Sequence, residues 1–219
     1  MLNFSASEEN YLKTIYHLQT KDDNVTTNEL ADKLRAKPAS ITDMMKKLKT
    51  RRMVNYQRYH GFRLTSQGKK IALSIIRRHR LWEYFLAEKL KFNFDEVHEV
   101  AEQLEHVSDK KLIDKLDEFL AFPKFDPHGD PIPDTNGKME TSRQISLSHL
   151  RVNKPARICH ISNQSELLLE HLQEKKIRMG TLIVVKRKFT YDDSLEIQLG
   201  KKALLTISGQ LAKNIFVKI

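Results

Sequence analysis

The stretch TTNELADKLRAKPASITDMMKKLKTRRMVNYQRYHGFRLT, residues 26–65, decides the fold. Thr26, with Glu29 three residues on, is a capping box and predicts a short helix over Thr26–Leu34. Arg35–Lys37 reads as a tight turn. Pro38 suits the first turn of a next helix, which runs to about Arg51 with Ile41, Met44, Met45 and Leu48 inward. Met53–Tyr59 and Phe62–Thr65 then read as two strands around His60-Gly61, a hairpin signal. Just upstream, residues 5–20 read as a helix: Ser5 or Ser7 caps it, and Tyr11, Leu12, Ile15 and Leu18 share a face. Three helices followed by a hairpin is the order of a winged helix-turn-helix. Lys46, Lys47, Lys49, Arg51 and Arg52 fall on or just after the proposed recognition helix, and Arg58 and Arg63 on the hairpin. A lysine run alone is usually a solvated face, so the order of elements carries the weight.

Beyond this module, Ser66–Leu90 reads as a long helix with Ile71, Ile75, Trp82, Leu86 and Leu90 as its buried stripe. Phe94–Val107 and Lys110–Ala121 read as further helices. Residues 122–139 hold four of the six prolines and two of the seven glycines, which marks a linker or an irregular loop. Strands are predicted at Arg151–Ile161, Thr181–Lys188, Leu195–Leu199, Lys202–Ser208 and Asn214–Ile219, with a short helix at Glu166–Lys175. The fold class is therefore mainly α with small β: a winged helix-turn-helix over 1–74, a helical domain with a Pro-rich tail over 75–140, and a linker plus small SH3-like β-barrel over 141–219.

The 219 residues carry a formal charge of +10, distributed as +7 over residues 1–74, −5 over 75–140 and +8 over 141–219. A basic N-terminal module suggests a polyanion, most simply nucleic acid. The single cysteine, Cys159, excludes an intrachain disulfide framework and any cysteine-rich metal site. No apolar run approaches the ~20 residues of a membrane span, and Met1–Glu9 lacks the pattern of a signal peptide, so a cytoplasmic location is expected. There is no Gly-x-Ser-x-Gly elbow, Walker loop or dinucleotide fingerprint, and the expectation is a protein without enzymatic activity or a small-molecule substrate.

Chemistry is concentrated in His98-Glu-Val-Ala-Glu-Gln-Leu-Glu-His106. On a helix, His98, Glu102, Glu105 and His106 fall within an arc of about 100°. His79 and Glu83, spaced i, i+4, point one way from the preceding long helix. Antiparallel packing of the two helices would bring these faces together, as in helical bundles with metal sites. Nitrogen and oxygen donors without thiolate suit manganese or ferrous iron, and also zinc, cobalt or nickel. The plain alternative is a set of ordinary exposed charge pairs. His98-Glu99-x-x-Glu102 resembles the zincin signature only superficially, because the fifth position is Glu rather than His.

Tyr11-Leu-Lys-Thr-Ile-Tyr16, Arg78-His-Arg-Leu81 with Glu83, Val97-His98 through Glu105-His-Val107, and His128-Gly-Asp-Pro-Ile-Pro133 together carry a family likeness. On these residues the chain resembles, over essentially its full length, the diphtheria toxin repressor and manganese transport regulator family of metal-dependent repressors. The resemblance implies a primary metal site at Asn10, Glu102, Glu105 and His106, and a neighbouring site at His79, Glu83 and His98. A C-terminal Glu and Gln complete the second site in three-domain members, and Glu170 and Gln173 are the nearest candidates. Iron-type members carry Cys where Glu102 stands; manganese-type members carry an acid where Asn10 stands and another where Lys13 stands. A hard cation is favoured, Mn²⁺ first and Fe²⁺ second.

The resemblance also implies a homodimer on a palindromic double-stranded DNA operator, repressing genes of metal homeostasis. Ala39, Ser40, Thr42 and Asp43 would meet bases, and Lys37, Lys47, Arg51 and Arg58 phosphates. Rival readings are a winged-helix regulator indifferent to metal, and a metal buffer or trafficking protein with an incidental basic surface.

Overall fold

The computed structural model describes residues 4–19, 24–57, 61–107, 109–140, 144–162, 166–200 and 204–219; for residues 94, 95, 166 and 169 only the backbone is described. Contacts divide the chain into two compact units. One comprises Met1–Trp82, Ala101–Phe122 and Ile132–Met139; the other comprises Glu83–Val100, Pro123–Pro131 and Glu140–Ile219.

The first unit opens with α1 (Ala6–Leu18), α2 (Thr27–Leu34) and α3 (Pro38–Thr50). Each start has a visible cause. Ser5 and Thr26 accept from the backbones of Glu8 and Glu29, whose carboxylates take the cap amides in return, and proline opens α3. Arg35, at φ 49°, ends α2 in the left-handed region and turns the chain into α3. Then β1 (Val54–Gln57) and β2 (Gly61–Leu64) pair antiparallel, from Val54 opposite Leu64 to Gln57 opposite Gly61. Gly61 sits at φ +98°, and a Cβ there would lie 2.4 Å from the Val25 carbonyl oxygen. Only glycine lets the wing close on the strand bridge between Val25 and Phe62. Leu12, Ile15, Leu30, Ile41, Met45, Leu48, Met53 and Ile75 form the shared core, all essentially inaccessible.

Two longer helices follow, α4 (Ser66–Glu88) and α5 (Phe94–Val107), and then α6 (Lys110–Phe119). Arg77, buried on α4, donates to Asp114 at 3.2 Å and to Asp117 at 2.7 Å, which fixes α6 against it. The Pro-rich segment is an irregular loop built on two similar turns. Asp126 Oδ1 accepts from the backbones of His128 and Asp130, and Asp134 Oδ1 from those of Asn136 and Lys138. Gly129 and Gly137 supply the positive φ that each turn requires.

The C-terminal residues form a small SH3-like antiparallel sheet of six described strands, ordered β3-β8-β4-β5-β6-β7. These are β3 (Ile145–Ser146), β4 (Pro155–Ile161), β5 (Leu182–Lys188), β6 (Leu195–Leu199), β7 (Leu204–Ile207) and β8 (Ile215–Lys218). Helix α7 (Glu166–Glu174) lies between β4 and β5, and α8 (Gly209–Asn214) between β7 and β8. Three elements differ from the sequence reading, the first being β3, where no strand was expected. The first predicted strand starts at Pro155 rather than Arg151, because Leu147–His149 forms a 3-10 turn and Asn153 takes φ 62°. Helix α8, capped by Ser208, was not expected, and it shortens the last strand to Ile215–Lys218. Ile158, Ile183, Val185, Ile197, Ile215 and Val217 fill the interior of this sheet.

Candidate metal centre

The C-terminal end of α5 and the first turns of α1 meet around His106. Its Nδ1 lies 2.7 Å from Glu9 Oε2, and its Nε2 lies 2.9 Å from Asn10 Oδ1 and 3.3 Å from Glu105 Oε1. Glu9 is itself held by Arg78, whose Nη2 donates to its other oxygen at 2.6 Å. A carboxylate on one ring nitrogen fixes the ring and turns the other toward a ligand, the outer arrangement typical of metal-binding histidines. The Nε2 edge faces an amide oxygen and a carboxylate, which together suit a cation.

Glu105 is wholly buried. Its Oε2 lies 2.7 Å from His79 Nδ1, and its Oε1 accepts from Lys13 Nζ at 2.6 Å. Burial alone would raise its pKa, but the hydrogen bonds and charges of His79 and Lys13 outweigh it and hold the carboxyl below its ordinary value. Glu102, one turn earlier and partly exposed, stands 3.7 Å from the same ammonium. The structure thus brings together Asn10, Glu105 and His106, adds His79, and places Glu102 at the edge.

Elsewhere on α4 and α5, His98 Nδ1 lies 3.1 Å from the buried carboxylate of Glu83. His79 is one turn before Glu83 on α4, so the three form a further set of cation-type donors. Glu170 and Gln173 are exposed on α7, and Glu170 is not in that set. Gln173 lines a cavity of about 240 Å³ with Phe92, Asn93 and His128.

Helix α3 presents Ala39, Ser40, Thr42, Asp43 and Lys47 to solvent, and its N-cap residue Lys37 is exposed as well. Thr42 Oγ1 donates to the Pro38 carbonyl, and Asp43 pairs with Lys46 at 3.2 Å. Arg51 is less available. Its guanidinium lies over the Phe4 ring and donates to buried Glu8 at 2.7 Å, while Lys47 approaches the same oxygen at 3.4 Å. Arg58 lies outside the described residues.

Sequence reasoning missed Glu9, Arg78 and the inward role of Lys13. The adjacency of Glu9 to Asn10 was the only available signal, and a single carboxylate in the first turn of a helix reads equally as a dipole partner.

A winged helix whose first helix shares a cluster of histidine, amide and buried carboxylate with a second set of helices defines a metal-responsive transcriptional regulator. The iron dependent repressor models match in sequence: the N-terminal DNA binding domain at residues 3–62 and the metal binding and dimerisation domain at 65–134. A FeoA domain matches at 145–219. The chain belongs to the iron dependent repressor family. It is 33% identical over 122 residues to the transcriptional regulator MntR of Oceanobacillus iheyensis, covering 56% of this chain and 82% of the relative. It is 26% identical over 195 residues to the diphtheria toxin repressor of Corynebacterium jeikeium, covering 86% and 79%. In structure it is similar to a manganese-dependent transcriptional repressor complexed with manganese. The TM-score is 0.86 at 29% identity, with 96% of this chain and 99% of the other covered. For the manganese regulator SloR the TM-score is 0.76 at 27% identity, with 99% of each covered. Among the described residues, no helix is long and apolar enough to cross a membrane.

Proposed function

We propose that the protein is a metal-dependent DNA-binding repressor of metal-homeostasis genes, answering to Mn²⁺ first and Fe²⁺ second, with Zn²⁺, Co²⁺ or Ni²⁺ able to substitute in vitro. One observation carries the reading: α1 belongs to the DNA-reading module, yet its Asn10 faces His106 of α5 at 2.9 Å. Asn10, Glu105 and His106 would hold the ion, with Glu102 alongside, and a second position would use His79, Glu83 and His98. The donors fit: hard oxygens and imidazole without thiolate. When bound, the ion supplies positive charge that oxygens from two elements share.

The chain's own residues do the rest. Glu9 and Arg78 orient His106. Asn10 ties α1 to α5, while α1 in turn holds α3 through Glu8 and Arg51. Fixing α1 sets the recognition helices of a homodimer at the spacing of a palindromic operator, half-sites about one turn or a multiple apart. The coupling is reciprocal, typically ~1–3 kcal/mol, so DNA tightens metal binding by the same factor. Residues 1–74 read DNA, 75–140 dimerise and bind metal, and 141–219 form the SH3-like part. This is a binding function rather than an enzymatic one, and its DNA partner places it in the cytoplasm.

The test is fluorescence anisotropy on labelled DNA from the protein's own upstream region beside a genomic fragment pool, with chelator, Mn²⁺ or anaerobic Fe²⁺. Binding should require metal and weaken steeply with salt. His106→Ala should abolish the metal response and keep the fold. Equal binding with chelator and with metal would overturn the reading.

A further inference from the structure

Residues 141–219 carry a charge of +8 that no part of the proposed function uses. Part of it gathers beside one end of β5. The turn at residues 151–154 closes with the Lys154 amide donating to the Arg151 carbonyl at 3.2 Å, and the Asn153 amide donates to the Val185 carbonyl at 2.8 Å. That second bond sets Arg151 and Lys154 beside Lys186, Arg187 and Lys188, the exposed end of β5. Lys188 is fastened to the Ser148 carbonyl at 2.6 Å, and Arg187 lies over the Phe189 ring, 4.8 Å from its centroid. Among the described residues, Arg151, Lys154, Lys186 and Arg187 make no ion pair. The acids that follow in the chain are otherwise placed. Asp193 pairs with Lys213, and Asp192 accepts from the Ser194 amide. Glu196 stands opposite Arg187 in the ladder, one carboxylate against five cations.

We propose that Arg151, Lys154, Lys186, Arg187 and Lys188 form a phosphate-binding surface for duplex DNA, adding backbone contacts on the duplex that the winged helix reads. The proposal rests on the reading of residues 1–74 as the DNA-reading module, because a chain already seated on DNA meets further phosphates at high effective concentration. Clustered like charges repel one another and gather counter-anions. A phosphate backbone takes the place of those anions and frees its own condensed cations, a gain that ignores base sequence. Helix α3 has less charge to give. Asp43 pairs with Lys46, and Glu8 takes both Arg51 and Lys47. The surface beside β5 therefore supplies affinity and leaves base reading to α3.

The full-length chain carrying Lys154→Gln with Lys186→Gln would be compared with the native chain and with a control carrying Lys176→Gln and Lys218→Gln. The control removes the same charge from exposed positions elsewhere among the C-terminal residues. Fluorescence anisotropy with saturating Mn²⁺ would follow binding to a duplex from the protein's own upstream region and to an unrelated duplex, over about 50–200 mM salt. The slope of log affinity against log salt should fall in magnitude by about 2 in the first variant. Its affinity should drop by the same factor on both duplexes, and its Mn²⁺ binding by equilibrium dialysis should not change. The control should keep the native slope. A native slope in the first variant, or an equal loss in the control, would overturn the proposal and leave the winged-helix reading intact. So would a loss confined to the upstream duplex, which is base reading rather than phosphate binding. A variant that keeps the native slope but no longer sediments with phosphatidylserine vesicles would assign the surface to an anionic membrane instead. Native protein that binds neither duplex would overturn the DNA-reading function as well.

Discussion

Glu8 and Glu9 are neighbours in sequence with separate tasks. Glu8 is buried against Arg51 and Lys47 of the DNA-reading module; Glu9 joins Arg78 to His106. Burial would push the Glu8 pKa up, but the Ser5 amide, Arg51 and Lys47 outweigh it and hold it down to about 2. A carboxyl whose folded pKa is depressed contributes stability above its unfolded value and loses it as pH falls. The loss here should run from about pH 4.5 toward 2. Glu8→Gln should lower the unfolding free energy at neutral pH by about 1–3 kcal/mol and flatten that acid limb, as read by urea titration across pH. Glu9→Gln should cost a similar amount of stability through Arg78, and should also weaken Mn²⁺ binding by roughly 10–100-fold, because it frees the imidazole to turn. Isothermal titration checks this, and unchanged affinity would remove Glu9 from the centre.

At the scale of elements, the wing depends on one backbone position. Gly61→Ala places a methyl group 2.4 Å from the Val25 carbonyl at φ +98°. It should cost about 1–3 kcal/mol and weaken DNA binding by displacing the hairpin, visible in paired melting and anisotropy measurements. The turn was legible because glycine has few other reasons to follow a strand of this pattern. Helices α1 and α2 were legible for a related reason, since Ser5-Glu8 and Thr26-Glu29 are local signals that need no tertiary context. Helix α8 was not. It has six residues, under two turns, and Leu211 and Ala212 are too few to show a period. The proposed metal ligands show the same divide. His98, Glu102, Glu105 and His106 were legible as one helix face. The meetings of His79 with Glu105, Glu9 with His106 and Lys13 with Glu105 join residues far apart in sequence, and spacing carries no trace of them.

For the molecule as a whole, the proposed site would link metal binding to folding of the first unit, since Asn10, Glu105 and His106 all belong to it. Mn²⁺ at 100 times its dissociation constant should stabilise that unit by about 2.7 kcal/mol, raising its melting temperature, and His106→Ala should erase the shift. An equal shift in the mutant would put the ion elsewhere. Helix α1 gives the arrangement a further property. Glu8 grips Arg51 while Asn10 and Lys13 meet α5, so the helix works like a keyed shaft engaged on two sides. Adding or deleting one residue between Glu8 and Lys13 turns one set of teeth by about 100° relative to the other. Lineages descending from this chain can therefore trade side chains along α1. They cannot change the residue count between Glu8 and Lys13 without stripping the gear that joins the proposed metal centre to the DNA-reading head.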